Sequence, residues 1–294
     1  MKKPDQLYRY LFEHYQVRGE LVQLDETFHQ MAAAQTYPEP VRQLLGELLV
    51  ATSLLTATLK FSGAITVQLQ GNGPVRLAVI NGDHQQQLRG VARWEGEMPT
   101  EPTLKALVGD GQLIITISPE EGERYQGIVA LEADSLARSL ESYFAQSEQL
   151  ATRIWIRTGG TQDAPLAAGM LLQSLPASGE EHANQFDHLS KLTDTIKDEE
   201  LFTLPAEEIL YRLYHEEEVR VFDPQDIRFL CTCSRQRCEQ ALLQLGQREV
   251  ASMIEEQGQV DMHCDYCGTH YRFDAIDAQA LFSDNLASND GALH

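Results

Sequence analysis

The stretch that opens with Cys231-Thr232-Cys233 and closes with Cys264-Asp265-Tyr266-Cys267-Gly268 holds all five of the chain's cysteines, two close pairs with Cys238 between them. Two close pairs of soft thiols suit one tetrahedral zinc ion. The second pair has the common two-residue spacing, and Gly268 behind it permits the positive φ with which a knuckle turns its amides toward sulfur. The first pair encloses a single residue and makes a tighter chelate. Cys231, Cys233, Cys264 and Cys267 are therefore read as the ligands of one Zn2+. Four sulfurs fill the shell, so Cys238 reads as a bystander. His263 and His270 flank the second pair and replace a cysteine only if a thiol is left without a role.

A permanent disulfide framework is the competing use of such cysteines, and it belongs to oxidising compartments. The chain begins Met1-Lys2-Lys3 but runs into Asp5, Gln6 and Arg9 rather than an apolar core, so the pattern of an export signal fails and a cytoplasmic location is expected. The longest weakly polar stretch, Leu48 to Leu59, falls well short of the roughly 20 residues of a spanning helix. No membrane helix is expected.

The module from Cys231 to about residue 286 is small enough that a hydrophobic core alone is marginal. Metal binding then becomes folding energy, on the order of 10 kcal/mol in small zinc domains. Zinc-sulfur bonds of about 2.3 Å place neighbouring sulfurs roughly 3.8 Å apart, near enough for a small shift to join them, and a cystine is a poor ligand. Oxidation of paired ligands would expel the ion and remove the module's main support.

Upstream, composition breaks at Pro176-Ala177-Ser178-Gly179, and residues 179–230 carry fourteen acidic and five basic side chains. Helical spacing is expected around Phe186 to Ile196 and Pro205 to His215, with Leu189, Leu192, Ile196, Ile209, Leu210, Leu213 and Tyr214 on apolar faces. Helices this short need a partner surface, and Glu216-Glu217-Glu218 near Glu207 and Glu208 adds self-repulsion. The stretch reads either as a solvated linker or as a segment held near its folding threshold.

Further back, helical spacing is expected over residues 5–15 and 39–60, the latter a core helix with Leu44, Leu45, Leu48, Leu49, Leu55 and Leu59. Strands follow at Ile65 to Leu69 and Val75 to Ile80, with turns at Gly71-Asn72-Gly73-Pro74 and Asn81-Gly82. Leu113 to Ile117 and Tyr125 to Leu131 form a second strand pair through Pro119 to Gly122. Asp134 reads as the cap of a helix reaching about Gln149, and Ile154 to Ile156 and Met170 to Leu172 are strands. The fold class is α+β: a mixed α/β domain with antiparallel-rich sheets over 1–178, an acidic helical linker over 179–230, and a zinc-binding module with a short tail over 231–294.

The net charge of −21 opposes a phosphate backbone, so nucleic acid is not expected as a partner. The pair Cys231-Thr-Cys233-Ser, the knuckle Cys264-Asp-Tyr-Cys267-Gly, Tyr214-His-Glu-Glu-Glu218 and Glu121-Gly-Glu-Arg-Tyr125-Gln-Gly together resemble the bacterial redox-regulated heat-shock holdase chaperones of about thirty-three kilodaltons. The resemblance runs the whole length. It implies that the reduced, zinc-bound monomer is inactive. Peroxide with unfolding stress, or hypochlorous acid, would join Cys231 to Cys233 and Cys264 to Cys267, and the metal would be released. The module and linker would then loosen, and the protein would dimerise and hold unfolding clients without ATP.

Two other readings remain. A zinc ribbon that recruits a protein partner without switching would keep its metal under oxidation. A thiol-disulfide oxidoreductase would use Cys264 and Cys267, while a zinc hydrolase would need an open coordination position that four cysteines do not leave. No catalytic residues are expected. Gly71-Asn-Gly73-Pro is a turn rather than a phosphate cradle, and the nine histidines are scattered.

Overall fold

A helix with a broad apolar face must bury that face, and α2 (Glu39–Ala57) does so in the computed structural model, where 14 of its 19 residues are buried. The structure describes residues 5–59, 61–131, 134–176 and 180–289. They belong to two compact units, Met1–Leu230 and Cys231–His294.

In the first unit the chain enters as β1 (Gln6–Phe12) and β2 (Val17–Leu24), then α1 (Glu26–Ala32) and α2. A meander follows, β3 (Gly63–Gln70), β4 (Val75–Asp83) and β5 (Gln87–Trp94), then α3 (Leu104–Val108), β6 (Gln112–Pro119) and β7 (Tyr125–Ala130). Next come α4 (Leu136–Tyr143), which runs into a π turn (Phe144–Glu148), and the hairpin β8 (Thr152–Gly160) and β9 (Pro165–Ser174). The unit ends with α5 (Glu180–Thr193), α6 (Asp198–Thr203), α7 (Ala206–Tyr214) and three two-residue strands, β10 (Arg220–Val221), β11 (Gln225–Asp226) and β12 (Arg228–Phe229).

Two six-stranded sheets result, one ordered β10-β1-β2-β9-β8 with β11 also on β1, the other β12-β5-β4-β3-β6-β7. All pairings are antiparallel except β12 on β5. The mixed α/β architecture with antiparallel-rich sheets is as the sequence implies. Leu45, Leu48 and Leu49 of α2 join Val22, Leu24, Val67, Leu69 and Ile80 of the two sheets in one core. Thr52 and Thr56 are buried there, and each satisfies its hydroxyl on the carbonyl one turn back, Leu48 at 2.7 Å and Thr52 at 2.6 Å.

The expected helix over residues 5–15 is a strand. Both faces of β1 are covered, Leu7 by the α2 core and Tyr8, Tyr10 and Phe12 by a second cluster. A strand buried on both sides loses the polar alternation that marks a strand in sequence. The expected turn at Asn81-Gly82 lies inside β4. Gly82 is needed there for close approach, since a Cβ would sit 2.5 Å from Leu88 and 3.1 Å from Thr56 of α2. The turn comes at His84 to Gln86, where Asp83 Oδ1 accepts from the amides of Gln85 and Gln87. The cap of α4 is Ser135 rather than Asp134, with its hydroxyl accepting from Arg138 N.

The acidic stretch finds its partner surface on the first sheet. Leu189, Leu201, Ile209, Leu210, Leu213 and Tyr214 are buried against Tyr10, Phe12, Val17, Leu21, Met170 and Leu172. Polar contacts fix the helices in place. Trp155 Nε1 donates to Asp194 at 2.8 Å, and Gln23 Nε2 donates to the carbonyls of Leu201 and Leu204 that end α6. His14 and His188 lie 2.7 and 2.8 Å from Glu218 and Glu217, so two carboxylates of the glutamate run are paired. The composition break at Pro176 to Gly179 falls on residues 177–179, outside the described residues.

Candidate metal centre

In the second unit α8 (Arg235–Leu245) and α9 (Gln247–Gln257) precede the hairpin β13 (Val260–His263) and β14 (His270–Phe273), and α10 (Ala275–Asn289) follows. Its fully buried core among the described residues is five side chains, Leu242, Val250, Val260, Phe273 and Ala278. Arg235 lies 4.2 Å over the Phe273 ring and pairs with Asp277 at 2.9 Å. A core this small supplies little of the stability a domain needs.

The knuckle is the turn of this hairpin. His263 and His270 form its last cross-strand pair, after which Cys264 N donates to Thr269 O and Gly268 N to Cys264 O. Gly268 has φ of +70°, the left-handed conformation that its lack of a Cβ allows. Cys231 and Cys233 come from the loop before α8, whose N-terminus is capped by the Ser234 hydroxyl on Arg237 N.

These elements bring the four sulfurs together. All lie within 4.8 Å of one another, and no other such group of three or more ligating side chains occurs among the described residues. Cys231 Sγ is 3.6 Å from Cys264 Sγ, and Cys233 Sγ is 3.4 Å from Cys267 Sγ. Tetrahedral zinc with bonds of about 2.3 Å requires sulfurs at roughly these separations. Without an ion, the thiols titrate in opposite directions. Burial pushes the Cys231 thiol up to about 12. Burial also raises Cys267, but hydrogen bonds from Thr269 and the neighbouring thiols outweigh it and bring the group down to about 7. Four thiolates in so small a space would need a cation to offset their charge, and Cys231, Cys233, Cys264 and Cys267 are four soft donors placed where they could hold one metal ion.

Cys238 is half-buried on α8 against the small core, and its sulfur stands outside the group of four. The His263 and His270 rings lie 5.8 Å apart and tilted by 33° at the surface, also outside it. Two contacts were not legible from spacing. Tyr271 Oη donates to Cys233 Sγ at 3.2 Å, and Thr269 Oγ1 lies 3.2 Å from Cys267 Sγ. Both residues are on or beside β14, and only the hairpin register brings them to the sulfurs. Such outer contacts hold ligands in orientation.

Among the described residues no helix is long and apolar enough to cross a membrane. A family model described as Hsp33 protein matches residues 5–274. A 33 kDa chaperonin of Aeromonas salmonicida is 67% identical over 294 residues, all of both chains. One of Serratia proteamaculans is 60% identical over 290 residues, 99% of each. A crystal structure of the 33 kDa chaperonin from Thermotoga maritima superposes with a TM-score of 0.85 at 23% identity, covering 96% of this chain and 99% of that one, which shows the shared fold. The match over nearly the whole length and the identity to these relatives establish that the chain belongs to the Hsp33 family of heat-shock chaperones.

Proposed function

We propose that this chain is a cytoplasmic, ATP-independent holdase switched on by oxidation of its four clustered cysteines. The observation that carries the reading is the collection of Cys231, Cys233, Cys264 and Cys267 within 4.8 Å, in a unit whose fully buried core is only five side chains. A bound Zn2+ would hold the four sulfurs as thiolates and tie the loop before α8 to the β13–β14 knuckle.

Peroxide oxidises each cysteine pair. One S–S bond forms, the O–O bond breaks, two electrons pass from the sulfurs to peroxide, and the oxygens leave as two waters. The pairing proposed is Cys231 with Cys233 and Cys264 with Cys267. Each disulfide removes two ligands at once, so the small unit loses the support that its core does not replace. The loosened chain runs directly from Cys231 into β12 and the acidic segment. Release of α5 to α7 would uncover Leu189, Ile209 and Leu213 together with Tyr10, Phe12 and Met170 on the sheet, an apolar surface for an unfolding protein. A net charge of −21 would keep the complex soluble. The inactive form is proposed to be a monomer and the oxidised form a homodimer.

The test follows metal release with a chromogenic chelator during peroxide treatment at heat-shock temperature, alongside aggregation of a denatured client. Release together with suppressed aggregation supports the switch. Retained metal favours a static zinc ribbon, and release without holding removes the chaperone step. Leu189→Asp with Leu192→Asp should weaken holding by the oxidised form.

A further inference from the structure

Away from the cysteines and on the far side of the first sheet from α5 to α7, a cavity of about 380 Å³ opens between the C-terminal end of α2, strands β3 and β6 and the π turn. That volume lies within the roughly 300–1,000 Å³ of small-molecule sites. Its walls are mostly apolar, with Leu55, Ile65, Ile115, Ile117, Phe144 and Leu175 among them. The polar lining includes Arg18, Thr58, Gln173 and, exposed at the rim, Glu148.

Arg18 is the feature that gives this cavity a preference. Its Nε and Nη2 both donate to Gln173 Oε1, at 3.1 and 2.5 Å, which fixes the guanidinium in place. Glu20 Oε1 stands 3.9 Å away, outside hydrogen-bond distance. A guanidinium has five N–H donors, and no acceptor beyond Gln173 meets those of Arg18 among the described residues. The Arg18 side chain is 22% exposed, so its charge sits where water compensates it only in part. Glu20 offsets that charge only in part near neutrality, because burial pushes its carboxyl up to about 7 and leaves it incompletely ionised there.

We infer that this cavity binds one amphiphile with an anionic headgroup, a medium-chain carboxylate, its acyl chain among Leu55, Ile65, Ile115 and Phe144 and its carboxylate on Arg18. Charge complementarity selects this occupant. A carboxylate completes the planar donor fork of arginine with two parallel hydrogen bonds, whereas a cationic headgroup meets like charge at the same point. The acyl chain gains by leaving water for a surface that is already apolar. Glu148 lies at the exposed rim, where its repulsion is screened by solvent.

The experiment uses the reduced, zinc-loaded full chain. Dodecanoate below its micellar concentration is titrated calorimetrically, with dodecyltrimethylammonium as the matched cation of equal tail length. One dodecanoate per chain is expected, with the cation at least tenfold weaker. Arg18→Gln should weaken dodecanoate at least tenfold, and Leu175→Trp, which fills the half-buried rim without touching the charge, should weaken both probes. Equal affinity for the two headgroups would overturn the inference without any variant. Dodecanoate binding that is non-saturable, or unchanged in a folded Arg18→Gln protein, would also overturn it and would point to general adhesion to apolar surface.

Discussion

Tyr214, the last residue of α7, stands edge-on to Phe12 of β1, with ring centroids 5.0 Å apart at 85°. Its hydroxyl meets Thr193 Oγ1 of α5 at 2.5 Å, and its ring lies 6.0 Å from that of Tyr10. One side chain thus joins two helices of the acidic segment to the strand that both sheet faces bury. Only 2% of Tyr214 is exposed, so the docked state depends on it.

Tyr214→Ala should therefore destabilise docking of α5 to α7 by about 3–5 kcal/mol, the range for truncating a buried aromatic. Hydrogen exchange in α5 and α7 should accelerate while β3, β4 and β6 stay protected. If the proposed function holds, the reduced variant should suppress client aggregation without an oxidant.

Gly19 of β2 faces the same ring cluster. A Cβ there would lie 2.1 Å from Tyr10 Cζ, so Gly19→Ala forces the tyrosine out of its place under Tyr214. The expected cost is about 1–3 kcal/mol, as for other overpacked cores, read from the urea midpoint.

If zinc is bound as proposed, removing it under reducing conditions with a strong chelator should unfold Cys231–His294 and leave the helices and sheets of Met1–Leu230 intact by far-ultraviolet dichroism and proteolysis. Serine at any of Cys231, Cys233, Cys264 or Cys267 should lower zinc affinity by tenfold or more. Cys238→Ser should leave zinc content unchanged, because its sulfur lies outside the cluster.

Glu20 gives the fold a pH dependence. Burial raises its carboxyl from 4.5 to about 7, with Arg18 and Arg9 opposing the rise. The folded chain binds this proton more tightly than the unfolded one, so stability is full below the unfolded value and declines as pH rises to about 7. The slope is at most about 1.4 kcal/mol per pH unit. Glu47, also raised by burial to about 7, titrates over the same window. Glu20→Gln should flatten part of the decline in thermal midpoint, and adding Glu47→Gln should flatten it further.

The sequence by itself determined the parts whose chemistry is local. Four thiols in two close pairs, with Gly268 behind the second, mark a candidate soft-metal site, which the fold gathers within 4.8 Å. The run of leucines from Leu44 to Leu55 is a buried helix on period alone, and Gly71 to Pro74 is a turn in any context. Tertiary structure decided what depends on a partner. The strand β1 is hidden in sequence because α2 covers Leu7 while Tyr214 and its neighbours cover Tyr10 and Phe12. The same packing turns a charged stretch, marginal as isolated helices, into a docked layer, since its stability lies in a sheet face built partly from β1 and β2, more than a hundred and fifty residues upstream. Tyr271 and Thr269 reach the sulfurs only through the register of the β13–β14 hairpin, and Arg18 acquires its cavity only when α2 and the second sheet close over it.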